Sequence, residues 1–128
     1  MPVKYKVVST NQPGQGKEGE KMWFPKLTGS SQLNLRDIAE RLSERSSAST
    51  GDVYMIIMGL VDILPELLGN GYTIKLDDFG TFRLHAKVET AKEPEKVTSR
   101  YIKGYRISFR PGKLVKNALK GIKAEKLN

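Results

Sequence analysis

The chain has 128 residues, which suits one domain with one modest hydrophobic core. It contains no cysteine, which excludes disulfides and thiolate metal sites. No apolar run reaches the roughly 18 residues that cross a bilayer, and the N-terminus lacks the apolar stretch of a signal peptide, so we expect a cytosolic protein. The formal net charge of +8 indicates a polyanionic partner.

The positive charge is concentrated in the last 46 residues of the chain. Residues 83–108 carry seven basic and three acidic side chains, and residues 109–128 carry six basic and one acidic. Residues 30–82 are acidic instead, with four basic and eight acidic side chains. A uniformly solvated surface does not need such segregation. The distribution favours a dedicated anion-binding surface over the alternative, a basic surface with no ligand.

The N-terminal residues are predicted to form a hairpin. Apolar residues alternate with lysines from Val3 to Val7, a period of two that is typical of a strand. Residues 11–16 are predicted to be a turn or mobile loop, and Lys21–Leu27 a second strand. Pro25 has no N–H to donate, so that strand is expected at an edge. We expect Trp23 to pack in the hairpin's core, with an exposed contact site as the alternative.

Two helices are predicted next. Asn34 is a suitable N-cap, with Asp37 three residues later, and one apolar stripe follows at helical spacing: Leu35, Ile38, Ala39 and Leu42. Ser49 is the predicted cap of the second helix. That helix has nine Val, Ile or Leu residues among sixteen, too many for one small core, so a dimer interface is expected to cover its second side. Pro65 is expected to weaken its last turn, which Gly69–Gly71 ends.

The rest of the chain is predicted to be mostly strands. The predicted strands are Tyr72–Leu76, Phe79–Val88 and Tyr101–Phe109, with a turn at Asp77-Asp78 and a loop at Thr90–Thr98. A last helix follows Pro111-Gly112, with Leu114, Val115, Ala118, Leu119 and Ile122 predicted to face inward.

The chemistry of an enzyme is not visible in the sequence. Asp77-Asp78 could hold Mg²⁺ in a nuclease, but adjacent carboxylates in a turn are far more often turn chemistry. His85 is the single histidine, so a surface role is favoured over a metal site. We therefore expect a non-enzymatic protein with no cofactor, no metal and no small-molecule substrate.

Two segments carry a family resemblance. One is Leu76-Asp77-Asp78-Phe79-Gly80-Thr81-Phe82, and the other is Phe109-Arg110-Pro111-Gly112-Lys113-Leu114-Val115-Lys116. With the order of the predicted elements, they resemble the HU/IHF family of histone-like bacterial DNA-bending proteins over about residues 33–122. About thirty residues precede the first helix, and they resemble the N-terminal extension of a divergent, longer HU-like branch.

The resemblance implies an α+β fold and an intertwined dimer. Each chain would have two N-terminal helices, a three-stranded antiparallel sheet with a protruding β-arm, and a C-terminal helix. Residues 31–128 would form this domain, and residues 1–30 a β-hairpin extension packing on it. A homodimer is expected, with pairing to a related chain left open. Gly80 would allow a close backbone approach, and the aromatic rings of Phe79, Phe82 and Phe109 would fill the core where two chains meet.

The resemblance also implies DNA as the partner, in a cytoplasmic, nucleoid-associated protein that organises or condenses the chromosome. Bending or bridging of DNA with low sequence specificity is expected, because contacts to phosphates carry no base code. The predicted DNA-binding residues are Arg83, Lys87, Lys92, Lys96, Arg100, Lys103, Arg106, Arg110, Lys113, Lys116 and Lys120. Of these, Arg100, Lys103, Arg106 and Lys113 are favoured. Pro111-Gly112-Lys113 would start the last helix, and the backbone N–H groups at that start, with the Lys113 side chain, are expected to hold a phosphate.

The arm tip departs from the family pattern. The family's arm usually carries a proline that wedges between base pairs, and Pro94 is the arm proline here. Glu93 and Glu95 flank it and would repel phosphate, so a plain turn role is favoured over a wedge. The alternative function is an HU-fold protein-interaction or structural module with weak or no DNA binding.

Overall fold

A computed structural model describes residues 2–11 and 21–127. The elements in this part of the chain are β1 (Val3–Asn11), β2 (Lys21–Leu27), α1 (Leu35–Glu44), α2 (Thr50–Gly69), β3 (Ile74–Lys75), β4 (Gly80–Val88), β5 (Ile102–Pro111), α3 (Lys113–Lys120) and β6 (Ala124–Lys126). Beyond Asn11, the loop predicted at residues 11–16 lies outside the described residues. The chain divides into two units, one of residues 1–32 with 118–128 and one of residues 33–117.

Both helix starts follow from local hydrogen bonding. The Asn34 side chain accepts a hydrogen bond from the Asp37 N–H at 2.9 Å, and the Asp37 carboxylate accepts one from the Asn34 N–H at 3.0 Å. This reciprocal pair satisfies two N–H groups that a helix start leaves unpaired. Ser49 caps α2 by accepting a hydrogen bond from the Asp52 N–H at 3.2 Å. Both predicted caps are confirmed.

The second helix continues through its proline. α2 runs past Pro65 to Gly69, and Gly71 follows with φ +92°, a left-handed conformation that suits glycine. The prediction that the glycine-rich segment ends this helix is confirmed. No helix in the described part of the chain is both long enough and apolar enough to cross a membrane.

β3, β4 and β5 form an antiparallel sheet in that order. The β4–β5 register pairs Phe82 with Phe109 and Leu84 with Ile107, so apolar residues of both strands share one face. The sequence predicted these strands, although β3 is shorter than expected. Near the far end, Lys87 pairs with Gly104 and the next β4 residue skips one position, which leaves Lys103 in a β-bulge.

A second sheet joins both ends of the chain in the order β2, β1, β6. β1 and β2 pair antiparallel, which confirms the two predicted strands, and Pro25 lies in an edge strand as expected. β6 was not predicted. It runs parallel to β1, and the flanking bonds are Val3 N–H to Lys123 O at 2.9 Å and Leu127 N–H to Tyr5 O at 2.8 Å. The predicted division into residues 1–30 and 31–128 stays a prediction.

Very little of the single chain is buried. Among the described residues, Ala39 and Leu68 are the apolar side chains that solvent scarcely reaches. Trp23 is 66% exposed, so the prediction that it packs in a core is wrong. The reason is its position on the edge strand of a three-stranded sheet, where no second layer within that unit covers it.

The last helix also departs from prediction. α3 ends at Lys120, so Ile122 lies beyond it, and Ile122 is 52% exposed. Leu114 and Leu119 are 62% and 56% exposed, so within one chain the expected inward packing of these three residues is wrong. Among the larger residues that were predicted to face inward, only Val115 is half-buried.

Candidate nucleic-acid interface

One face of the β4–β5 ladder gathers four cations. Arg83 and Lys87 lie on β4, and Arg106 and Arg110 lie on β5, all on the face opposite the apolar side chains. We call these four residues the cationic face. All four are exposed, and none forms an ion pair with a carboxylate of the described residues. Such a cluster of uncompensated charge is a surface that attracts polyanions.

Lys75 extends the cationic face onto a third strand. The β3–β4 register pairs Lys75 with Thr81, which pairs in turn with Arg110, so all three share one face. The side chain of Lys75 is exposed. Lys75 is not among the predicted DNA-binding residues, because it lies in the acidic part of the chain. A sequence signal for Lys75 does exist. Thr81 lies two residues before Arg83 and therefore shares its face, and the tight turn places Lys75 opposite Thr81.

His85 lies within the cationic face. Its strand neighbours on this face are Arg83 and Lys87, and its cross-strand partner is Arg106. The ring is half-buried, and its Nε2 lies 2.7 Å from the hydroxyl of Ser108, which fixes the ring orientation. The described residues hold no group of three or more His, Asp or Glu residues placed to bind a metal ion.

The outer part of the arm, residues 89–103, has a more balanced charge. The Lys96 ammonium lies 3.6 Å from the Glu93 carboxylate, and the Lys103 ammonium lies 3.6 Å from the Glu89 carboxylate. Both ion pairs are exposed, so each contributes at most about 1 kcal/mol to stability. Either lysine can therefore exchange its carboxylate partner for a phosphate. The local field is nevertheless weaker here than on the cationic face.

The other residues predicted on the arm are not brought onto the ladder face. Pro94 begins a short 3₁₀ turn, Pro94–Lys96, and Arg100 lies in a second one, Ser99–Tyr101. Lys92 is exposed in the segment before them. The structure thus groups Arg83, Lys87, Arg106 and Arg110, and leaves Lys92, Lys96, Arg100 and Lys103 dispersed around the tip.

The start of α3 is held by the turn before β4. The Gly112 N–H donates to Phe79 O at 2.8 Å, and the Leu114 N–H donates to Asp78 O at 3.0 Å. These groups are already bonded, so the expectation that backbone N–H groups here hold a phosphate is wrong for Gly112 and Leu114. The cations remain suited to the task, since the exposed Lys113, Lys116 and Lys120 follow each other at spacings of three and four residues along one side of α3.

An aromatic cluster fixes the base of the ladder. The ring centre of Phe109 lies 5.4 Å from that of Phe79 and 4.8 Å from that of Phe82. Gly80 is buried beside it with φ +155°, and a Cβ there would come within 2.5 Å of the Phe109 ring. The predicted close approach at Gly80 is confirmed. This packing holds β4, β5 and the start of α3 together below the cationic face.

The family model that matches residues 1–126 is HU-HIG, described as an HU domain fused to wHTH, Ig, or glycine-rich motif. This chain belongs to the HU-HIG family. The match spans nearly the whole sequence, including the N-terminal residues, and it confirms the resemblance found in the two signature segments.

Solved structures show the same fold. A protein from Bacteroides vulgatus, described as a candidate bacterial DNA-binding protein, is 15% identical with a TM-score of 0.66 over 98% of this chain. This chain spans 48% of that protein's length. A variant of HU from Thermotoga maritima is 22% identical (TM-score 0.50), with 68% of this chain and 99% of that chain covered. HU from Anabaena, in a cocrystal with DNA, is 16% identical (TM-score 0.55), and the match covers 70% of this chain and 99% of that chain.

These likenesses confirm the predicted α+β, HU-like fold, and at such low identities they show the fold alone. No curated protein matches the chain in sequence. The intertwined dimer expected from the resemblance stays a prediction.

Proposed function

We propose that this protein is a non-enzymatic, histone-like DNA-binding protein that holds the phosphate backbone on its cationic face. The observation that carries the proposal is the grouping of Arg83, Lys87, Arg106 and Arg110 on one exposed ladder face with no carboxylate partner among the described residues. Family membership and the likeness to an HU structure that was crystallised with DNA support it.

The mechanism is electrostatic. Each cation that neutralises a phosphate releases condensed counterions, and this release drives binding. Lys75, the tip residues Lys92, Lys96, Arg100 and Lys103, and the α3 lysines Lys113, Lys116 and Lys120 would add contacts along the flanking backbone or in the minor groove. Phosphate contacts carry no base code, so sequence preference is expected to be weak and based on DNA shape.

A homodimer would turn this binding into bending or bridging. Ile56 and Met55 of α2 are 70% and 63% exposed, and Ala39 and Leu68 alone are buried among the described apolar residues. A single chain with so little buried surface lacks the hydrophobic free energy to stay folded. A second copy that covers α2 would bring a second arm, and two arms can bend one duplex or join two. We place such a protein in the cytoplasm, associated with the nucleoid.

A second candidate function is docking of a partner protein at the arm tip. A groove of about 660 Å³ at the tip is mostly apolar, and Val88, Ala91, Val97 and Ile102 line it beside the half-buried Tyr101. Together with the ion-paired glutamates, this groove suits a protein surface better than a phosphate chain. If the arm has this second function, it binds a partner protein, and its affinity for DNA is weak or absent.

Arg83→Ala/Arg106→Ala tests the proposed function. If each side chain contacts one phosphate of a duplex, the slope of log affinity against log salt should become shallower by about 1.8. Arg41→Ala/Arg45→Ala is the matched control, because it removes the same charge from exposed positions at the end of α1. If both double variants change the salt slope equally, the result would contradict a specific cationic face. If Arg83→Ala/Arg106→Ala leaves duplex binding unchanged, the result would favour the protein-docking function.

A further inference from the structure

The N-terminal sheet has two faces of different chemistry. One carries Tyr5 and Val7 with Pro25 and Leu27, and it is mostly apolar, with lysines near its ends. The other carries two successive lysines of β1, one lysine of β2, and apolar residues further along. We call the second face the lysine face, and it includes Lys4, Lys6, Val8, Met22, Phe24 and Lys26.

Two lysines of this face lie directly opposite each other. The β1–β2 register pairs Lys6 with Lys26, and both side chains are exposed. Like charges in directly opposed positions destabilise a sheet. The carboxylate of Glu125 lies on this face beside Lys4, and it is already bonded to the Lys4 ammonium at 2.5 Å. No carboxylate of the described residues forms an ion pair with Lys6 or Lys26. An anion placed between the two lysines would remove their repulsion.

An exposed aromatic ring lies one pair further along the same face. Phe24 pairs with Val8 and is 43% exposed, and Met22 beyond it is 48% exposed. Successive pairs on one face of a strand are roughly 6.8 Å apart, so the ring lies close to the lysine pair. A cation pair beside an exposed ring is the chemistry that single-stranded nucleic acid recognises, with phosphate on the charges and an unpaired base on the ring. A purely apolar partner would have to desolvate both lysines without compensation.

We propose that the lysine face is a second nucleic-acid site, which binds a single strand with a phosphate between Lys6 and Lys26 and a base on Phe24. None of its residues belongs to the arm or to α3, so the site does not depend on the cationic face. A protein with both sites could hold a duplex and an unpaired strand at once.

The test measures fluorescence anisotropy of a labelled oligothymidine with the full chain carrying Arg83→Ala/Arg106→Ala, so that the arm contributes little. In this background, Lys6→Gln/Lys26→Gln should make the salt slope shallower by about 0.7, the value for one phosphate of a single strand. The control is Lys21→Gln/Lys126→Gln, which removes the same charge from the opposite face of the same sheet and should leave the slope unchanged. Phe24→Leu should weaken binding about fivefold or more through lost stacking.

Folding is controlled by a second variant. Lys6→Glu places opposite charges across the ladder, which favours the sheet, and it should still abolish binding of the oligothymidine. Binding of the oligothymidine that is retained in Lys6→Glu would overturn the proposal. So would an equal loss of binding in both lysine double variants, or an Arg83→Ala/Arg106→Ala protein that does not bind the oligothymidine at all. Duplex binding by chains with an intact arm should be unchanged by Phe24→Leu, so a failure here is distinguishable from a failure of the cationic face.

Discussion

Gly80 is the residue on which the base of the arm most depends. Its φ of +155° is one that residues with a side chain rarely adopt, and the space beside its Cα is filled by the Phe109 ring and the Arg110 carbonyl oxygen. Strain of this kind typically costs about 1–3 kcal/mol, before any clash with the ring is counted.

Gly80→Ala should therefore lower the free energy of unfolding by at least about 1 kcal/mol in chemical denaturation. Gly104→Ala is the control, because the nearest atom to a Cβ there is the Lys87 side chain at 3.9 Å, an ordinary contact. Equal stability of the two variants would show that the close packing at Gly80 contributes nothing.

At the scale of residues, the sequence predicted what depends on near neighbours. The caps Asn34 and Ser49 act on groups three residues away, so they can be read from the chain alone. The exposure of Trp23 could not be predicted, because it depends on what covers a sheet face, which no local pattern specifies. The sequence favours Lys103 as a DNA contact, but its local pattern does not reveal the bulge or the ion pair with Glu89.

At the scale of elements, the tip of the arm differs from its shaft. The shaft carries the unpaired cationic face, whereas at the tip Pro94 begins a 3₁₀ turn and the preceding Glu93 pairs with Lys96. A wedge between base pairs would bring Glu93 and Glu95 close to phosphates, which repel them. We therefore infer that Pro94 shapes the turn and does not intercalate.

Pro94→Ala is expected to leave both the duplex affinity and the bend angle unchanged, as measured by fluorescence resonance energy transfer across a labelled duplex. Glu93→Gln/Glu95→Gln should instead raise the affinity at low salt, because it removes repulsion at the tip. A bend that Pro94→Ala abolishes would establish the wedge.

The elements themselves were predictable where the periodicity was strong. The period of two in β4 separates the Leu84 face from the Arg83 face, and that separation is what defines the cationic face. β6 escaped prediction because a three-residue strand is stabilised by its partner β1, over a hundred residues away in sequence, and not by its own pattern. The register that adds Lys75 to the face is also a tertiary property.

At the scale of the whole molecule, exposed apolar surface is the dominant feature. α2 exposes Ile56 at 70%, Met55 at 63% and Ile63 at 46%, which is far more than a stable monomer presents to water. The sequence indicated this through the width of the apolar stripe on α2. The fold class followed from the two signature segments, but the geometry of a second chain cannot be derived from the pattern of one.

An obligate dimer should melt at a temperature that rises with protein concentration, because association and folding are linked. Ile56→Glu should abolish the dimer in sedimentation equilibrium, since it buries a charge in the proposed interface. Val88→Glu changes a similarly exposed residue on the arm, 63% against 70%, and should leave the dimer intact. A wild-type monomer of full stability at micromolar concentration would contradict the dimer.

The measurement that tests the central claim most directly is the affinity of the wild-type protein for a short duplex and for a nicked or cruciform DNA at two salt concentrations. If the protein neutralises about six to ten phosphates, the affinity should fall by about 10³–10⁵-fold between 50 and 200 mM salt. Bent or nicked DNA should bind more tightly than the plain duplex, because it costs less to deform. No binding at low salt, or an affinity independent of salt, would contradict the account and assign the fold to a protein partner.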